Sequence, residues 1–156
     1  MKEENLLNSG AYKNSKERKM NILFVCKYNK FRSQIAESYF KKINKNKNIN
    51  VVSRGIFVGS YPLNKLQSAV AKRLGIIIKN RPKPITTKLL RKQDMIIIVA
   101  DNVPRSLFIY KTGYPKTTIS WGIPDEQSDN EEKTEEVIKK IKKKVEELVE
   151  QLKEAK

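Results

Sequence analysis

Asn21-Ile-Leu-Phe-Val-Cys26-Lys-Tyr-Asn-Lys-Phe-Arg32-Ser33 decides the reading of this chain. Asn21 to Val25 is an apolar run of strand length, and Ser33 to Lys42 is amphipathic with a helical period. The loop between them carries the only cysteine, Cys26, and an arginine, Arg32, in a C-x5-R-S spacing. A strand that delivers a thiol into a tight loop at a helix N-terminus is suited to binding a tetrahedral oxyanion and attacking it. Only the thiolate is a nucleophile. Arg32 supplies a permanent cation, Ser33 a hydroxyl donor, and the helix start its unpaired N–H groups and positive dipole end. The amides of Lys27, Tyr28, Asn29, Lys30, Phe31 and Arg32 can line an anion nest. A guanidinium can grip two oxygens at once. Asn29 suits a tight loop because asparagine tolerates positive φ.

Outward from the loop, strands and helices alternate. Strands are expected at Ile22–Cys26, Ile49–Arg54, Met95–Ala100 and Thr117–Ser120. Helices are expected over Gln34–Lys42, Pro62–Leu74, Pro84–Lys92, Val103–Tyr110 and Glu131 to Lys153, the last with Val137, Ile141, Val145, Leu148 and Leu152 as its seam. This βαβα pattern predicts one α/β domain with a four-stranded parallel sheet and helices on both faces. In such sheets ligands sit beyond the carboxyl ends of strands, where Cys26 falls. Residues 1–19 read as a polar, flexible N-terminal extension and residues 20–156 as the folded domain.

Composition narrows the chemistry. The 156 residues carry a formal charge of +16. The charge is uneven: residues 21–130 hold 20 Lys/Arg against six Asp/Glu, whereas residues 131–156 balance eight lysines with eight glutamates. A basic body favours anionic ligands and also permits nucleic-acid contact. With one cysteine and no histidine, an internal disulfide, Ser-His or Cys-His catalysis and a zinc site are excluded as expectations, and no metal or other cofactor is expected. The lone thiol suits a reducing cytoplasm. No apolar run approaches membrane-spanning length.

The loop and its surroundings resemble the low-molecular-weight protein tyrosine phosphatase family. The family pattern V-C-x-G-N-x-C-R-S-P-x-A-E is similar to Val25 through Glu37, its S-A-G segment to Ser53-Arg54-Gly55, and its W-x-x-x-D-P segment to Trp121 through Glu126. The loop form C-K-Y-N with F-R-S resembles archaeal members. The resemblance implies a flavodoxin-like sheet of order 2-1-3-4. It also implies a cysteine-dependent phosphatase acting on a phosphotyrosine protein or a small aryl phosphate. Cys26 would be the nucleophile, Arg32 the oxyanion clamp and Asp125 the general acid, with Ser33 and Ser53 supporting the loop. Asp129 rivals Asp125 on chemistry alone, and Asp94 and Asp101 read as cap or turn residues. Tyr28, Phe31, Tyr61 and Trp121 are aromatic candidates for a pocket wall.

The departures are specific. Tyr28 stands where the pattern has glycine, Phe31 where it has a second cysteine, Gln34 where it has proline and Glu126 where it has proline. The paired tyrosines of eukaryotic members are missing. Lys30 is placed at the pocket mouth by the resemblance, where it would oppose a cationic phosphoarginine and favour an aryl phosphate with acidic neighbours. Two other readings compete. An arsenate reductase shares this fold and loop but would need an external thiol here. A non-catalytic anion- or RNA-binding protein could retain the loop.

Overall fold

Strand β1, Met20–Cys26, is the centre of the molecule. In the computed structural model, which describes residues 19–57, 64–79, 81–109, 117–126 and 129–154, it pairs in parallel with β2 (Ile49–Gly55) on one side and β3 (Met95–Ala100) on the other. Strand β4 (Thr117–Ile123) adds to β3, giving a four-stranded parallel sheet of order β2-β1-β3-β4. This is the expected order. The first eighteen residues, Tyr61, Tyr110 and the Pro62–Leu63 start of the expected second helix lie outside the described residues.

The pleat of β1 divides the core. Ile22 and Phe24 face one side, and Leu23 and Val25 the other. On the first side they pack with α1 (Arg32–Ile43), α2 (Lys65–Arg73) and α5 (Glu131–Glu154), through Ile35, Phe40, Val70, Val137, Ile141 and Val145. On the second side Leu23, Val25, Ile96 and Ile98 meet Phe108 of α4 (Ser106–Ile109) and Leu89 and Leu90 of α3 (Thr87–Leu90). Cover on both faces explains the unbroken apolar run of β3, where Ile96 to Ala100 are all buried. The α5 seam contains the expected Val137, Ile141, Val145 and Leu148, with Ile138 and Val149 also buried and Leu152 partly so. Arg73 of α2 forms ion pairs with Glu131 and, at 2.7 Å, Glu135 of α5.

The helix expected over Pro84–Lys92 is only Thr87–Leu90, opened by the Thr86 side chain, and the one expected from Val103 starts at Ser106, after Pro104; three further boundaries differ near the site. Helix α1 begins at Arg32 rather than Gln34, so the arginine and Ser33 belong to its first turn. Helix α2 starts at Lys65, capped by the Asn64 side chain, which accepts from Gln67 N at 2.9 Å. Strand β4 continues past Ser120 to Ile123. Gly122 uses its glycine freedom at φ +66 within an irregularity opposite Ile98–Ala100. The extension brings the Ile123 carbonyl to the carboxyl end of β3, where it accepts from Asp101 N at 3.0 Å.

Candidate active site

Cys26 ends β1 and is nearly fully buried, with 3% of its surface exposed. The chain then turns through Lys27 to Phe31 and enters α1. Two groups point at the sulfur. Ser33 Oγ lies 3.0 Å from Cys26 Sγ, and Asn29 N donates to Sγ at 3.3 Å. The tight turn is made possible by Asn29 at φ 58, the one described non-glycine residue with positive φ.

Asn29 is buried, and its side chain is the hub of the loop. Nδ2 donates to Ser33 Oγ at 2.8 Å and to Ser53 Oγ at 3.0 Å, and Oδ1 accepts from Lys83 N at 2.9 Å. Ser53 in turn donates to Glu37 Oε1 at 2.6 Å. Thus α1, β2 and the segment before α3 all fix one asparagine. The end of β2 completes the support. Ile56 N and Phe57 N donate to the carbonyls of Cys26 and Lys27, while Gly55 pairs with Lys83 and Ile85.

Arg32 is 4% exposed, and its charge is compensated by groups from two strand ends. Nη1 donates to the Ile123 carbonyl at 2.8 Å and to Asp101 Oδ1 at 3.4 Å, and Nη2 donates to Asn102 Oδ1 at 3.3 Å. Asp125 forms an ion pair with Nη2 at 3.9 Å. Cys26, Arg32, Ser33, Ser53 and Asp125, named from sequence, therefore lie in one constellation at the carboxyl ends of the strands. Asp129 is exposed, and it is Asp125 whose carboxylate reaches Arg32.

Other contributors were less visible. Asp101 is not merely a turn residue, because its carboxylate touches the guanidinium. The rule that ligands gather beyond strand ends could have flagged it together with Asn102. Glu37, quoted only as the end of a motif, orients Ser53. Gln34 donates from Nε2 to the Asn29 carbonyl at 2.6 Å.

Among the aromatic candidates, Phe31 is 5% exposed and belongs to the core, and Trp121 packs on Phe24 with ring centroids 5.7 Å apart. Tyr28 stays at the surface, 6.3 Å from the Phe57 ring with Lys27 Nζ over its face at 5.2 Å. Phe57 is 56% exposed. Lys30 is half-buried, and desolvation lowers its affinity for a proton. Among the described residues no cluster of three or more metal-ligating side chains occurs, and no helix is long and apolar enough to cross a membrane.

A parallel, doubly wound sheet that presents one cradled thiol at a strand's carboxyl end is a flavodoxin-like fold with a strand–loop–helix thiol site. The chain belongs to the low molecular weight phosphotyrosine protein phosphatase family, whose model matches residues 21–156. No curated protein matches the sequence. Solved structures share the fold. A protein tyrosine phosphatase from Entamoeba histolytica superposes with a TM-score of 0.76 at 22% identity, over 87% of this chain and 98% of its own. The YwlE arginine phosphatase from Geobacillus stearothermophilus gives 0.74 at 18% identity, over 87% and 94%. An arsenate reductase from Archaeoglobus fulgidus gives 0.65 at 22% identity, over 82% and 98%. At these identities the likenesses speak for the fold. Membership of the family makes the protein a phosphatase by class.

Proposed function

We propose that the protein hydrolyses aryl phosphomonoesters, phosphotyrosine foremost, through a phosphocysteine at Cys26. The observation that carries this reading is the convergence of Asn29 N and Ser33 Oγ on Cys26 Sγ, with the Arg32–Asp125 pair joined to the same loop. In the first step Sγ attacks phosphorus, the S–P bond forms and the P–O(aryl) bond breaks. Asp125 gives its proton to the departing phenolate oxygen. In the second step water attacks phosphorus, its proton passes to Asp125, and the S–P bond breaks to release phosphate and thiolate. The loop amides of Lys27, Tyr28, Asn29, Lys30, Phe31 and Arg32, with the Arg32 guanidinium, carry the equatorial oxygen charge that a metal carries in other phosphoryl-transfer sites.

Two features bear on the substrate. Lys30 adds a cation within the loop, and Tyr28 with Phe57 offers a surface aromatic pair beside it. A cationic phosphoarginine would meet Lys30 as a like charge, whereas an aryl phosphate would meet the ring faces. Preference for phosphoarginine over phosphotyrosine would overturn this assignment.

The second reading, arsenate reduction, rests on the fold shared with arsenate reductases. With a single cysteine it needs an external thiol to resolve the intermediate. The deciding experiment measures p-nitrophenyl phosphate hydrolysis by wild type and Cys26→Ser, with arsenate plus small thiols as a parallel assay. EDTA-insensitive turnover lost in Cys26→Ser is expected. Thiol-dependent arsenate reduction without phosphate release would favour the second reading. A protein that binds oxyanions but turns over neither would be a binding module, the role that the basic residues 21–130 also suit.

A further inference from the structure

Gln34 occupies a position where the family pattern carries proline, and its side chain is 7% exposed. Among the described residues its hydrogen-bond partner is the Asn29 carbonyl, 2.6 Å from Nε2. We propose that Gln34 is a positioning residue that fixes the peptide plane between Asn29 and Lys30, and so aims the Lys30 N–H at the bound oxyanion. This inference rests on the phosphatase reading of the loop and adds a residue that the family pattern does not supply.

Asn29 sits in the left-handed region at φ 58, and its own N–H points at Cys26 Sγ. In a helical conformation of either hand, a residue's N–H and C=O point in opposite directions. The Asn29 carbonyl therefore points away from the sulfur, toward α1, where Gln34 receives it. A trans peptide is planar, with its C=O and N–H antiparallel. The Lys30 N–H thus points back in the same sense as the Asn29 N–H, into the loop. Two successive amides converging from a left-handed residue form an anion nest. Without the Gln34 donor, the Asn29 carbonyl is a buried acceptor that must find another partner, and the least costly way is rotation of that peptide. Rotation would carry the Lys30 N–H out of the loop and put a carbonyl dipole in its place. Proline has no donor to offer, so a loop held at this point by proline must be held by other means.

The test compares wild type with Gln34→Met, which keeps the length of the side chain and removes the donor. Tungstate serves as the tetrahedral oxyanion, and its affinity is read by competition and by calorimetry. One misaimed amide should weaken tungstate about tenfold or more and lower kcat/KM by a similar factor, chiefly through kcat, because the amide acts on charge that develops in the transition state. Tungstate affinity within twofold of wild type, with only the melting temperature lowered, would overturn the proposal and leave Gln34 a packing residue. Should Gln34→Met fail to fold, the wild-type protein decides. Its Lys30 amide proton must shift downfield in nitrogen-resolved NMR when tungstate binds, and a stationary Lys30 amide would overturn the proposal. Failure of the phosphatase reading is distinct: it would appear as wild-type protein that binds tungstate but hydrolyses no phosphomonoester.

Discussion

Gly55 lies so close beneath Tyr28 that a methyl group on its Cα would stand 2.7 Å from the Tyr28 carbonyl carbon, and 2.8 Å from Asn29 N. Both obstructing atoms are backbone, so no side chain can swing aside. Gly55→Ala must therefore displace either the loop or the end of β2, at a cost of about 1–3 kcal/mol. Urea denaturation should show that loss. Tungstate affinity should fall with it, because the displaced backbone belongs to the loop proposed to hold the oxyanion. A Gly55→Ala protein with wild-type stability and affinity would show that the loop can recede freely.

Asn29 joins two requirements that substitution can separate. Asn29→Gly keeps access to the left-handed backbone but loses the bonds to Ser33, Ser53 and Lys83. Asn29→Ala loses those bonds and must also hold an alanine at positive φ. Both should lose most turnover, since Ser33 is left without the donor that orients it toward the sulfur. Asn29→Ala should be the less stable of the two by about 1 kcal/mol, the penalty of a β-carbon in that region. Chemical denaturation of the pair checks the order.

Asp125 should reveal itself through the leaving group. With Asp125→Asn, hydrolysis of phosphotyrosine should slow by about 10²–10⁴-fold, the usual worth of a positioned proton donor. p-Nitrophenyl phosphate should suffer less, because its phenolate leaves with little need of a proton. Equal losses across a series of substituted phenyl phosphates would remove Asp125 from the role of acid and leave it as a partner of Arg32.

Helices α1 and α5 are tied by Tyr39, whose hydroxyl donates to Glu146 Oε2 at 2.5 Å under the Lys142 ammonium. Burial first, then the bond to Glu146 and its charge, push the Tyr39 phenol up to about 12. The folded value exceeds the unfolded value of about 10. The tie is therefore fully present below pH 10 and is lost as pH rises through about 12. Tyr39→Phe should cost about 0.5–1 kcal/mol at neutral pH, a modest figure because solvent screens this half-exposed bond. The stability difference between wild type and Tyr39→Phe should shrink in denaturation series above pH 11, and ultraviolet titration should show one phenol ionising late.

The sheet is readable from sequence because its central strands β1 and β3 are apolar on both faces and its helices on one. The runs Ile22–Val25 and Met95–Ala100 cannot be confused with surface structure. The thiol loop was readable because its parts are adjacent in the chain. The partners of Arg32 were not. Asp101, Asn102 and the Ile123 carbonyl come from distant strand ends, and no local spacing announces which carboxylate will face a guanidinium. Strand β4 runs past the expected Ser120 because Gly122 serves a bulge inside the strand, which no apolar alternation announces. Gln34 registered only as a missing proline, since a side-chain donor to a backbone carbonyl leaves no pattern.

The bonds that shape the site bridge large stretches of chain: 24 residues from Asn29 to Ser53, 54 to Lys83, 69 from Arg32 to Asp101 and 91 to Ile123. Such long-range contacts form only after the intervening loops have closed. The short-range bonds among Cys26, Asn29, Ser33 and Gln34 are thus completed only by distant partners, and a nascent or partly unfolded chain lacks the assembled site. Catalytic competence becomes a late event in folding, one that certifies the docking of β2, β3 and β4 around β1.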